Sequence, residues 1–175
     1  PMAAGEKPRE NWRIGTEHEK LVFSTGDHHA PSYDEPGGIR DLLMAMTEFG
    51  WTLVEEGGKV IAMSGADGAI SLEPAGQLEV SGAPLENLHQ TCAETGRHLK
   101  QVKQIGARTN TGFLGLGMWP DKRRDELPIM PKGRYAIMLR HMPRVGSMGL
   151  DMMLRTCTIQ TNLDYSSEAD MVQKF

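Results

Sequence analysis

The chain has 175 residues, 39% hydrophobic and 24% charged, with a formal net charge of -4; this suits one globular domain and excludes a disordered or fibrous chain. No apolar run approaches the ~20 residues that span a bilayer, and the acidic balance argues against a nucleic-acid partner, which needs an excess of Lys and Arg. Cys92 and Cys157 are the only cysteines and lack metal-ligand spacing, so a disulfide framework and a zinc site are excluded.

Residues 1–11 are small, polar and charged and read as a flexible segment without the apolar stretch of a secretory signal. That leaves the cytosol, or an organelle whose targeting segment is missing. Trp12 to Phe23 mixes β-branched, aromatic and charged residues without helical periodicity and reads as a strand. Turn residues from Pro31 to Gly38 lead to a short helix carrying Ile39, Leu42, Leu43 and Met46, with Gly50 as its stop. Three apolar runs follow, Trp51 to Val54, Val60 to Met63 and Ala69 to Leu72, separated by Glu55-Glu56-Gly57-Gly58 and Gly65-Ala66-Asp67-Gly68. Their spacing predicts an antiparallel meander. Pro74 and Gly76 interrupt the next extended piece, Gln77 to Val80, which predicts a bent or edge strand.

Pro84 fits the first turn of a long helix whose apolar face would be Leu85, Leu88, Cys92, Leu99, Val102 and Ile105. On that face Cys92 reads as a packed thiol. Thr111 to Met118 is strand-like, Arg134 to His141 forms a short helix within a Pro-rich basic segment, Thr156 to Leu163 alternates, and Ser166 or Ser167 opens a last helix. The expected fold is α+β.

Glu17 and Glu19 alternate, so both carboxylates leave one face of their strand together with Arg13. Such a pair repels itself unless a cation intervenes, and a hard divalent ion with oxygen ligands meets that need. Glu73, Gln77 and Glu79 have matching parity, subject to a shift of one if Gly76 forms a bulge. Thr156, Thr158, Gln160, Asn162 and Asp164 make one face of the late strand wholly polar. Together the three strands would line a concave acidic and amide surface suited to magnesium and nucleotide. Residues 1–90 hold 15 acidic and 6 basic side chains, whereas Asp121 to Arg144 hold 3 acidic and 7 basic. Phosphate has no glycine-rich loop here, so it would fall to metals and basic groups. Among these Lys132 and Arg134 read as solvated charge, and Arg155, directly before the polar-faced strand, stands out.

Four ordered strings, Arg13-Ile14-Gly15-Thr16-Glu17-His18-Glu19-Lys20, Ser71 to Pro84, Met130-Pro131-Lys132-Gly133-Arg134-Tyr135 and Asp151 to Asp164, closely resemble the plant and proteobacterial type of glutamate-cysteine ligase. The resemblance runs from about Trp12 to Phe175. It implies a glutamine-synthetase-like catalytic fold, a curved antiparallel sheet backed by helices, of which residues 12–175 would be the N-terminal part of a single catalytic domain. It further implies L-glutamate, L-cysteine and ATP as substrates and Mg2+ as cofactor, with no nucleic acid and no membrane. The γ-carboxyl of glutamate would attack the γ-phosphate of ATP, and the cysteine amine would then attack γ-glutamyl phosphate.

By the same resemblance Glu17, Glu19, Glu73 and Glu79 are metal ligands, Gln77, Gln160 and Asn162 line the cofactor floor, and Arg155 and Thr158 orient substrate. Another carboxylate-amine ligase of the same superfamily, or an inactive metal- or nucleotide-binding fragment, are the competing readings. Plant relatives are redox-regulated through disulfides, but the partner expected for Cys92 would lie beyond Phe175, so that regulation is not carried over.

Overall fold

The computed structural model describes residues 2–66 and 68–175; Asp67 of the expected 65–68 turn and Pro1 lie outside the described residues. The fold is α+β, as expected, and the described residues form an antiparallel sheet of seven strands in the order β2-β3-β4-β5-β1-β6 with β7 paired to β1. The strands are β1 (Ile14–Ser24), β2 (Thr52–Glu56), β3 (Lys59–Gly65), β4 (Gly68–Leu72), β5 (Leu78–Ser81), β6 (Thr111–Leu114) and β7 (Ile159–Leu163). The helices are α1 (Ile39–Met46), α2 (Leu88–Thr109), α3 (Gly133–Val145), α4 (Gly149–Arg155) and α5 (Glu168–Lys174).

The expected meander is present as β2, β3 and β4. Its first turn is tighter than the four residues that the sequence marks, because Gly57 and Gly58 both take positive φ, 58° and 75°. That pair matches the twist of a two-residue hairpin, so Glu55 and Glu56 remain in the strand. β5 is neither bent nor an edge. Pro74 and Gly76 lie in the turn of the β4–β5 hairpin, where the Glu73 N–H donates to Gln77 O at 2.9 Å, and β5 is inserted between β4 and β1. A proline in the turn removes no ladder bond, and this frees β5 to be central.

β1 organises everything else. Its Glu17 pairs with Ser81 on one side and Gln160 on the other, and its last residues, Leu21 to Ser24, pair with β6. Register places Ser71, Glu79, Glu19, Ser81, Glu17 and Gln160 on one face. The opposite face carries Ile70, Leu72, Leu78 and Val80, all in the buried core with Ile39, Leu42, Leu43 and Met46 of α1. Residues 7–12 run along the β7 end, where Lys7 pairs with Asp164 at 2.8 Å and the Trp12 indole donates to Lys7 O at 3.0 Å.

α2 departs most from expectation. It begins at Leu88, not near Pro84, because the Asn87 side chain caps it by accepting from the His89 and Gln90 N–H groups, while Leu85 stays extended and bridges to Ile14. It is also rotated. Glu94, His98, Val102, Ile105 and Gly106 face inward, whereas Leu88 and Leu99 are 71% and 49% exposed and Cys92 is exposed. Glu94 goes inward because its carboxylate accepts the Ala83 N–H at 2.8 Å. Hydrophobic periodicity cannot register a need of that kind. α4, in a stretch whose sequence carries no clear helical signal, delivers Met153 and Leu154 to the core.

His98 is 3% exposed, and among the described residues neither ring nitrogen has a hydrogen-bond partner. Burial, and after it the charges of Lys20 and His18, pushes its pKa down to about 3. Below the unfolded value of 6.5 the unfolded chain takes up a proton that the folded chain refuses, so stability present above pH 6.5 is lost on acidification. Between pH 6.5 and 5 this amounts to about 2 kcal/mol, at about 1.4 kcal/mol per pH unit. Urea midpoints should therefore fall across that interval in the wild type and fall less in His98→Leu. Equal falls would assign the acid sensitivity to another group.

Candidate functional site

The polar face of the sheet gathers acidic groups from three places. Oxygen atoms of Glu19, Glu73 and Glu79 lie within 4.8 Å of one another. β1 supplies Glu19, β5 supplies Glu79 directly opposite it, and the β4–β5 turn supplies Glu73. Glu17 is on the same face but outside that trio. Its carboxylate accepts from Asn162 Nδ2 at 2.9 Å and from Gln160 Nε2 at 3.3 Å, so the β7 amides hold it in place.

Thr158 does the same for Glu19, donating from its backbone N–H at 2.8 Å and its hydroxyl at 3.0 Å. Burial pushes the Glu19 pKa up against those two hydrogen bonds, and the neighbouring Glu79 and Glu17 push it further. Glu73 rises to about 6, first by burial and next by the charge of Glu79, with Lys132 and Arg134 opposing. Glu79 accepts from Ser81 Oγ at 2.5 Å. The all-oxygen donor set, its charge crowding and its partial burial fit a hard divalent cation such as Mg2+. Glu19, Glu73 and Glu79 would hold it.

Two of the expected site residues are engaged elsewhere. Gln77 is 2% exposed and bridges chain segments: its Oε1 accepts the Ala75 N–H at 2.9 Å, and its Nε2 donates to Thr156 O at 2.9 Å. Register keeps Gln77 in line with Glu73 and Glu79, since Leu72 pairs with Leu78 and the Glu73 N–H meets Gln77 O, but both ends of its amide are spent on these backbone partners. Arg155 pairs with Asp151 of its own helix at 3.3 Å and makes no ion pair with the carboxylate trio among the described residues. His18, as its alternation predicts, points to the other face, within 3.3 Å of Thr95 Oγ1.

Lys132 and Arg134, expected as solvated charge, are brought to this place by the fold. The Met130 N–H donates to Pro74 O at 2.9 Å and the Tyr135 hydroxyl to Leu72 O at 2.6 Å, so segment 130–135 is pinned across the β4–β5 turn. Arg134 then reaches Glu73 at 3.4 Å, and Lys132 is only 9% exposed, with burial lowering its pKa and Glu73, Glu79 and Glu56 raising it. The signal available in sequence was the alternation of Lys132 and Arg134 beside an aromatic residue, which is weak without the long-range contact.

Residues 13–175 match the family described as Glutamate-cysteine ligase family 2 (GCS2). A protein of Brassica juncea named Glutamate--cysteine ligase, chloroplastic, is 55% identical over 99% of this chain and 34% of its own length. Its namesake in Arabidopsis thaliana is 54% identical over 99% of this chain and 33% of its own length, and Glutamate--cysteine ligase A, chloroplastic, of Oryza sativa subsp. japonica is 54% identical over 99% and 35%. The chain therefore spans about a third of the length of the curated relatives it matches. With the matched region covering β1 to α5 and every carboxylate of the polar face, the chain belongs to glutamate-cysteine ligase family 2.

Proposed function

We propose that this chain forms the metal-holding wall of an enzyme that joins the γ-carboxyl of glutamate to the amino group of cysteine at the expense of ATP. The observation that carries the reading is the Glu19, Glu73 and Glu79 trio within 4.8 Å, continued along the same face by Glu17 between its amide donors. Bound Mg2+ would offset the charge of the triphosphate during phosphoryl transfer.

The chain's own groups position and screen. Thr158 fixes the Glu19 carboxylate, Gln160 and Asn162 fix Glu17, and Gln77 ties the β4–β5 turn to the segment entering β7. Arg155 acts through Asp151 and the shape of α4. The glutamate γ-carboxylate attacks the terminal phosphorus and ADP leaves; the cysteine amine attacks the γ-glutamyl carbonyl carbon and phosphate leaves. Positioning and electrostatics suffice for both steps, and no protein nucleophile is needed. The names of the relatives support the plastid as its compartment more than the cytosol.

The deciding experiment measures ADP release and γ-glutamylcysteine formation on the protein at its natural length, with cysteine and with a panel of other amines. Turnover should require Mg2+, glutamate and cysteine together. Equal or faster release with a non-thiol amine would overturn the cysteine assignment, and metal-independent release would overturn the site.

A further inference from the structure

Lys132 is an odd lysine. Its side chain is nine-tenths buried, a state lysine reaches when its charge is paired, yet among the described residues its ammonium has a contact with the Tyr135 ring, 5.7 Å from the centroid, and no hydrogen-bond or ion-pair partner. It is not far from anions, since Glu73 and Glu79 both act on it. Arg134 sits on the same ring, 5.0 Å from its centroid, and spends one nitrogen on Glu73 at 3.4 Å and on the Tyr135 hydroxyl at 3.1 Å. Tyr135 is in turn fixed to Leu72 O, next to Glu73. One aromatic platform thus holds two cations at the rim of the carboxylate trio.

Charge sets the order of events. Glu17 acts on Glu19 and Glu56 acts on Lys132 as well, so carboxylates outnumber the two cations and the cluster repels anions as it stands. A bound divalent ion offsets much of that negative charge and would place a metal cation beside the unpaired ammonium. An oxyanion that touches both the ion and Lys132 then satisfies each of them. Carboxylate and phosphoryl oxygens share this chemistry; a phosphoryl group has the additional oxygens to span metal and lysine at once.

We propose that Lys132, steadied by Tyr135 and seconded by Arg134, is the protein's own contact to the transferred phosphoryl group, and that it binds this group only after the metal. This rests on the ligase reading of the same site. It adds to it the residue that receives phosphate and the sequence in which the site loads.

The test is calorimetric titration of the protein at its natural length, first with Mg2+ alone, then with β,γ-imido-ATP in the presence and absence of Mg2+, and finally with glutamate. In Lys132→Gln, affinity for the Mg2+-loaded nucleotide should fall about 10- to 100-fold, the loss of one charge-assisted hydrogen bond. Affinity for Mg2+ alone should hold or rise, because a repelling charge is gone. Lys132→Met keeps the buried stem and should behave alike, which covers the case in which glutamine is not tolerated there. Arg134→Gln, at an exposed side chain, should show the same pattern more weakly.

Unchanged nucleotide affinity with tighter Mg2+ would overturn the proposal and make Lys132 a counter-charge for Glu73. Weakened glutamate binding with nucleotide binding intact would overturn it in favour of a carboxylate contact. Absence of Mg2+ binding in the wild type would instead strike the ligase reading itself, so the two failures are distinguishable.

Discussion

In the protein at its natural length, Glu79→Gln is expected to lower the proposed ligase turnover about 100- to 1000-fold, the range associated with removing one well-placed electrostatic group from a reacting centre. The melting temperature should hold or rise. Glu79 is buried against Glu19 and Glu73, its oxygens within 4.8 Å of theirs, so the metal-free protein relaxes when one of these charges is neutralised. Glutamine retains the volume and an acceptor for Ser81. Metal titration separates this from misfolding: magnesium affinity should fall by an order of magnitude or more while the circular dichroism spectrum is unchanged. A variant with wild-type turnover would remove Glu79 from the site, and one that merely unfolds would show it to be a packing residue.

Gly68→Ala should be the most damaging small substitution, with a loss of about 3 to 5 kcal/mol, the range that marks strain and overlap that cannot be relieved. Gly68 has φ +105°, and a Cβ there would lie 2.1 Å from Ser81 O. The obstacle is backbone of the adjacent β5, so no side chain can rotate away. Relief requires parting β4 from β5, and β5 carries Glu79. Denaturant midpoint and magnesium affinity should therefore fall together in this variant, in contrast to Glu79→Gln. A midpoint shift below about 1 kcal/mol would mean that β4 and β5 part at little cost.

Much of this architecture is legible without coordinates where local rules and global packing agree. Alternation of Glu17 and Glu19 fixes their common face, paired glycines fix a hairpin, and the Ser167 cap fixes the start of α5, where its hydroxyl accepts the Asp170 N–H at 3.1 Å. Legibility ends where a distant partner decides. Glu94 and His98 turn inward on α2, and this rotates Leu88, Cys92 and Leu99 to the surface against the hydrophobic pattern. Gln77 spends its amide on the Ala75 N–H and the Thr156 carbonyl, partners that its spacing from Glu79 does not disclose. Lys132 and Arg134 gain theirs because Tyr135 and Met130 bond to Leu72 and Pro74, some sixty residues earlier in the chain. Sequence spacing carries no trace of such contacts, and charge composition alone reads them as surface.

The central position of β1 has a consequence for biosynthesis. The strand is translated before every neighbour it pairs with, which are Leu78–Ser81, Thr111–Leu114 and, last, Ile159–Leu163. Its hydrogen-bonding edges and the Glu17 carboxylate thus emerge from the ribosome well before the amides that will hold them. At roughly 5 to 20 residues per second the interval lasts several seconds or more, long enough for nascent-chain binding factors to act on an unsatisfied strand.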